Sequence, residues 1–360
     1  MTDTMRRALP TPADHVDFGR STVRWRRGRV RLRLDLRTIS VCSLLAIACI
    51  LVALVSLATG DFKLSVPQVV SAVFGGESDF ARTVVVEWRM PRVFAAIVFG
   101  AALGLSGAIF QSLTRNPLAS PDIIGFSTGS YTGALLVIIA IGGSYLQVAT
   151  GALVGGIATA AVVYVLAYKR GVQGFRLIIV GIAVAAMLGS LNTWLMLTAE
   201  LEVAMTAAVW GAGSLNATSW EQAATGAVVI ALLVCLVAAL SRPLKQLELG
   251  DDAAKALGVT AERSRLALIF IGVALTATVT AAAGPIAFVA LAAPQIARRL
   301  TRTPGVALAP AAFMGALLLC ASDYVAQHVL PTVLPVGIVT VVIGGGYLIW
   351  LLVHEARRRL

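Results

Sequence analysis

RMPRVFAAIVFGAALGLSGAIFQSLTRNPLASPDIIGFSTG, residues 89–129, holds one apolar run of membrane-spanning length between an Arg-x-Pro-Arg corner and an Arg-Asn-Pro turn. About 20 apolar residues are enough for a helix to cross a hydrocarbon core of about 30 Å. Gly100 with Gly104, Gly125 with Gly129, and Gly129 with Gly133 repeat the small-x-x-x-small spacing that lets helix backbones approach closely in lipid. The stretch therefore predicts a helix surrounded by other helices.

Composition extends this reading to the whole chain. Of 360 residues, 58% are hydrophobic and 13% charged, and the mean hydropathy is +0.87. Soluble domains carry about twice that share of charge. The fold class is all-α, a polytopic membrane protein. Cys42, Cys49, Cys235 and Cys320 lie inside apolar runs without Cys-x-x-Cys spacing, and read as small buried hydrophobes. His15, His328 and His354 are far apart, so no metal site and no cofactor are expected.

A net charge of +11 is informative through its placement. The segment 1–37 is polar and arginine-rich, and is read as a basic cytoplasmic tail touching anionic lipid headgroups, not nucleic acid. It is not expected to be a cleaved signal, because the charged region and the apolar run after it are both too long. Apolar length and Gly/Pro punctuation give ten spans, at 39–59, 93–113, 123–141, 145–168, 175–198, 223–240, 266–283, 286–300, 306–328 and 336–353. The transmembrane domain thus covers 38–353, and 354–360 is a short basic tail. With both termini cytoplasmic, only Lys63, Arg82, Arg89 and Arg92 of the 29 Lys and Arg fall outside, as the positive-inside rule requires.

The span interiors carry almost no ionisable groups, with Asp323 the main exception. Ion-coupled transporters keep acidic or basic relays at membrane depth, and charged-ring channels need their rings. No Gly-x-x-x-x-Gly-Lys-Ser/Thr phosphate loop is present either. Energy for uphill movement would have to come from a partner chain. LGDDAAKALGVT, residues 249–260, is the candidate contact. Asp251 is read as a helix cap, Asp252 suits the positive first turn and Gly258 stops the helix. Ala253, Ala254, Ala256 and Leu257 would form a small apolar surface for a groove on a cytoplasmic protein, and a helix lying on headgroups is the alternative.

Gly125-Phe126-Ser127-Thr128-Gly129 fits the Gly-x-Ser-x-Gly nucleophile pattern. That chemistry needs a base beside Ser127, whereas His328 belongs to the opposite end of another span. The pattern is read as small-residue packing, and no catalytic residue is assigned. Arg89 and Arg92, three apart at the outer surface, form a basic pair that either anchors the helix at the interface or docks an acidic partner.

With these residues in place, the chain resembles the permease subunits of iron-siderophore and cobalamin ABC importers, the type II importer family. The resemblance rests on Arg89-Met90-Pro91-Arg92, the glycines from Gly100 to Gly107, Asn116-Pro117-Leu118-Ala119 with Pro121-Asp122, and Leu249-Gly250-Asp251 through Gly258-Val259. It continues in Gly284-Pro285-Ile286, Pro294 through Arg298-Arg299, and Leu334-Pro335-Val336-Gly337. Within the family GFSTGS, FRLIIVGIAV, NTWLML and GDDAAKALGVTAERSR are most similar to the ferric-enterobactin type.

The resemblance implies a ten-helix permease of the bacterial cytoplasmic membrane. Two such subunits would enclose a path for a ferric siderophore, with ATP-binding ABC subunits below and a substrate-binding protein above. Cobalamin or haem is the alternative cargo, and an ion-coupled secondary transporter the alternative mechanism. Carried over by position, Arg89 and Arg92 receive the binding protein. Gly250, Asp251, Asp252, Ala254, Leu257 and Gly258 belong to the helix that sits on the ATPase. Asn116, Pro117 and Leu118 form the inner gate. The chain departs from the family with Gln327 where a third docking arginine is usual, Gln295 where histidine is common, Val333 in place of a glutamate, and Gly345-Gly346 in place of Ala-Pro. These departures weigh against symmetric three-arginine docking and imply a heterodimer with a second, related permease.

Overall fold

The structure is a computed structural model that describes residues 22–27, 30–76, 78–168, 174–216, 218–305 and 307–359. The start of the basic tail, together with Lys169 and Arg170 of the charge count, lies outside the described residues.

The chain opens on a hairpin of β1 (Thr22–Arg27) and β2 (Val30–Asp35), paired antiparallel with Thr22 opposite Asp35. The hairpin lies in the second half of the segment read as a basic tail. The alternation in VRLRLD is a strand signal that the charge of the segment obscured. Asp35 then caps α1 (Leu36–Ala58), accepting the Arg37 N–H at 3.0 Å.

Helices α2 (Val66–Val73), α3 (Asp79–Arg82), a π-helical stretch (Thr83–Arg89) and α4 (Met90–Thr114) follow. Next come α5 (Phe126–Ile141), α6 (Tyr145–Ala167), α7 (Gly174–Thr198), α8 (Leu201–Gly211) and α9 (Trp220–Glu248). The chain ends with α10 (Asp251–Ala256), α11 (Ala261–Ala283), α12 (Val289–Thr301), α13 (Leu308–His328) and α14 (Val336–Arg359).

Each of the ten segments read as spans contains a helix. Among the described residues, seven helical stretches are by themselves long and apolar enough to cross a membrane: α1, the continuous stretch Asp79–Thr114, α6, α7, α9, α11 and α13. Several boundaries change: α9 runs on to Glu248 past residue 240, α11 begins at Ala261, α14 reaches Arg359, and three further changes bear on the site. The segment before Val93 is helix from Asp79, not loop. The third span begins at Phe126 and not at residue 123. The eighth begins at Val289 and not at residue 286, so α12 rises only about 20 Å, less than a bilayer core. Helix α8 fills a segment assigned to no span.

Helix α4 is the buried axis, packed against α13, α9, α11 and α12. The glycine pairs explain how. A Cβ on Gly104 would overlap the Ala311 carbonyl oxygen and stand 2.9 Å from its carbon, and one on Gly315 would overlap the Gly100 carbonyl. Gly129 and Gly133 meet Gly151 and Gly155 in the same way, locking α5 to α6. Pro294 leaves the Ala290 carbonyl without its helical donor, and Gly107 of α4 lies directly against that carbonyl, where no side chain would fit. Helix α7, by contrast, is largely uncovered by its own chain.

Candidate functional site

At the end of the bundle that the charge count places outside, the π-helical stretch carries one extra residue per turn into Arg89, a device that recurs at functional sites. A backbone carbonyl in this stretch, that of Val86, accepts the Trp220 indole N–H at 2.8 Å. The Arg89 guanidinium donates to the carbonyls of Leu57 and Phe62, 2.7 Å each, and so ties the end of α1 to α4.

Arg92 is engaged differently. Its Nε and Nη2 donate to the two oxygens of Asp323 on α13, at 2.9 and 2.7 Å, and the aspartate side chain is only 3% exposed. The two arginines therefore do not form an open basic patch. One braces backbone carbonyls and the other is the partner of the lone acidic residue noted within the spans. Gln327 stands nearby and donates to Asn216 Oδ1 at 2.6 Å. Around these groups lies a cavity of about 440 Å³, with Trp88 and Phe80 exposed on its rim and Asp61 and His328 in its wall.

At the opposite end, α4 stops at Arg115, which adopts a left-handed conformation with φ 51°. Arg115 stands between the end of α9 and the expected coupling segment, donating to the Leu247 carbonyl of α9 at 3.0 Å and lying 3.6 Å from the Asp251 carboxylate of that segment. Asp251 is ion-paired with Arg265 of α11. It is thus a bridge between helices and not the cap predicted for it; Gly250, at φ 116°, precedes the first turn. Gly258 ends the segment at φ 83°.

Ala254 is fully buried against the bundle and does not belong to an outward apolar surface. Leu249 and Leu257, 68% and 57% exposed, are the large apolar groups that do face out there, beside exposed Asp252 and Lys255. A six-residue helix with one inward alanine can present only its far side.

Between α4 and α5 the chain turns without a helix. Asn116 Oδ1 accepts the Leu118 N–H at 2.9 Å, closing an Asx turn that the Asn-Pro pair foreshadows. The Pro117 carbonyl accepts Gln295 Nε2 at 2.7 Å. Asp122 accepts the Ser127 hydroxyl at 2.7 Å and the Phe288 N–H at 3.3 Å. Ser127 thus donates to a carboxylate and has no histidine among its hydrogen-bond partners, while its flanking glycine Gly129 packs on α6. Close packing of Gly125 on α7 and of Gly129 on α6 accounts for the two glycines of Gly-x-Ser-x-Gly. Arg115, Asp122 and Gln295 were not among the expected site residues; the only signals were a charge beside Asn-Pro, an Asp after proline, and a glutamine where the resembling family favours histidine.

A glycine-locked bundle of membrane-length helices, braced at one end by two arginines and carrying a short helix at the other, is a polytopic membrane protein. The chain belongs to the FecCD transport family, which matches residues 47–354. It is 49% identical over 324 residues to the ferric enterobactin transport system permease protein FepG of Escherichia coli K12, covering 90% of this chain and 98% of that one. It is 33% identical to the achromobactin transport system permease protein CbrC of Dickeya dadantii, covering 92% and 96%. A solved metal-chelate type ABC transporter in an inward-facing conformation superposes with a TM-score of 0.79 at 30% identity, covering 88% of this chain and 99% of that one. The chain is accordingly a transport subunit and not an enzyme.

Proposed function

We propose that this chain is the membrane-spanning permease of an ABC importer in the bacterial cytoplasmic membrane, and that its cargo is a ferric siderophore of the catecholate type. The observation that carries this reading is the 49% identity, over nearly the full length of both chains, to a permease named for ferric enterobactin. Hydrolysis of ATP belongs to partner ABC subunits, a second related permease completes the path, and a substrate-binding protein docks outside.

The geometry supports each role. Leu249 and Leu257 stand out beside Asp252 and Lys255 as a contact for an ATPase. Arg115 bridges that segment to Asn116, Pro117 and Leu118, so displacement of α10 reaches the inner gate through one side chain. Outside, the rim of Trp88 and Phe80 around Arg89 offers aromatic anchors for the binding protein, with Arg92 held back by Asp323. Helix α7 exposes Ala183, Ala186, Ser190 and Thr193 along one face, interspersed with exposed Ile179, Met187, Trp194 and Leu197.

The test is Leu257→Asp in the assembled transporter. Uptake of a ferric catecholate and its coupling to ATP hydrolysis should both fall at least about tenfold, the effect of losing a buried apolar anchor, while the chain still reaches the membrane. Unchanged uptake and coupling would remove this segment from the drive train.

A further inference from the structure

The inner loop, residues 115–125, is hydrogen-bonded to α12 and its entry residue at two points, while Ile124 and Gly125 pack on α7. Phe288, Leu291 and Gln295 are spaced three and four apart, and so lie one above another on one face of α12 and its entry residue. Phe288, left-handed at φ 68°, turns its N–H onto Asp122 at 3.3 Å. The Leu291 carbonyl accepts Gln111 Nε2, from the last turn of α4, at 3.0 Å. Gln295 Nε2 donates to the Pro117 carbonyl at 2.7 Å and back to Leu291 at 3.3 Å, using both amide protons of a side chain that is 6% exposed. The coupling segment grips the same loop at its other edge, through Arg115.

We propose that Gln295, with Asp122, is a positioning residue of the inner gate: it fastens the 115–125 loop to α12, so that the loop and α12 move as one arm when the coupling segment pulls on Arg115. The inference rests on the gate reading given under the proposed function. A glutamine suits the task because one nitrogen can satisfy two carbonyls in a buried site. Methionine keeps the volume but donates nothing, and leaves the Pro117 carbonyl unserved. Histidine retains a ring N–H donor.

The experiment uses the complete transporter in inside-out vesicles, with Cys42, Cys49, Cys235 and Cys320 replaced by alanine and a reporter at Leu118→Cys. Labelling by a membrane-impermeant maleimide is timed without nucleotide and after trapping with ATP and vanadate. In the parent, the two rates differ. In Gln295→Met the difference should shrink roughly fivefold or more, the scale of a lost coupling interaction, while ATP hydrolysis continues. Gln295→His should restore the difference. A purely structural role would instead lower hydrolysis and abundance together.

An undiminished difference in Gln295→Met overturns the clamp. No difference in the parent overturns the gate reading itself, a distinguishable failure. Should Gln295→Met not accumulate, cysteines at Asn116 and Arg298, which line one inner cavity of about 240 Å³, are cross-linked by a short bifunctional maleimide with Gln295 intact. A yield that is the same in both nucleotide states supports a single arm, and a yield that collapses on trapping overturns it.

Discussion

Asp323→Ala should destabilise the folded chain by about 3–5 kcal/mol, the cost of stranding a buried charge. The Arg92 guanidinium makes two parallel hydrogen bonds to this one carboxylate, and the pair lies where α4 and α13 meet. Removing the carboxylate leaves a cation with little access to water. Removing both partners is milder, because the charge to be desolvated goes as well; Arg92→Met with Asp323→Leu should recover most of the loss. Thermal unfolding of the purified chain in mild detergent, run as a double-mutant cycle, measures the difference. Equal losses in Asp323→Ala and in the double variant would show that the ion pair is not what the aspartate supplies.

Gly104→Val should be at least as damaging. The added atoms would have to occupy the place of the Ala311 carbonyl, which is backbone and cannot rotate away, so α4 and α13 would have to separate. Overpacking of this kind costs about 1–3 kcal/mol in a core that can relax; here the whole helix pair must move, and the upper end, about 3 kcal/mol or more, is expected. Gly345→Ala is the control. It also lies in a helix, but a Cβ there meets nothing within 4 Å, and stability should stay within about 0.5 kcal/mol of the parent. The yield of monodisperse protein after extraction and its unfolding temperature read both. Equal behaviour of the two variants would mean that close backbone approach does not hold α4 to α13.

The bundle was legible in the sequence because its signals are local. Apolar runs of about 20 residues mark spans, and Gly100, Gly104, Gly129 and Gly133 announce close packing before any partner is known. What escaped depends on distance along the chain or on a single local departure. Arg92 and Asp323 are 231 residues apart, so nothing near Arg92 announces its ion pair. Asp251 looks like a cap because its true partner, Arg265, lies beyond the end of its own helix.

The stretch from Asp79 to Trp88 is helix although Asp79, Arg82 and Glu87 break the apolar pattern before the span at 93–113. Ala254 is not told apart from Ala253, Ala256 and Leu257 in the sequence, because so short a helix carries no periodicity to say which of them faces inward. The inner loop shows the same limit. Asn116-Pro117 announced the turn, while the clamp from Gln295 is a tertiary fact visible beforehand only as a departure from a family pattern.

The most direct test of the account is accumulation of a radioiron-labelled ferric catecholate by proteoliposomes containing this chain, its companion permease and ABC subunits, with the binding protein outside and ATP within. The account predicts accumulation that requires ATP and the binding protein and is indifferent to a protonophore. Uptake that collapses with the protonophore at constant ATP, or no movement of the chelate by an intact complex, would contradict it.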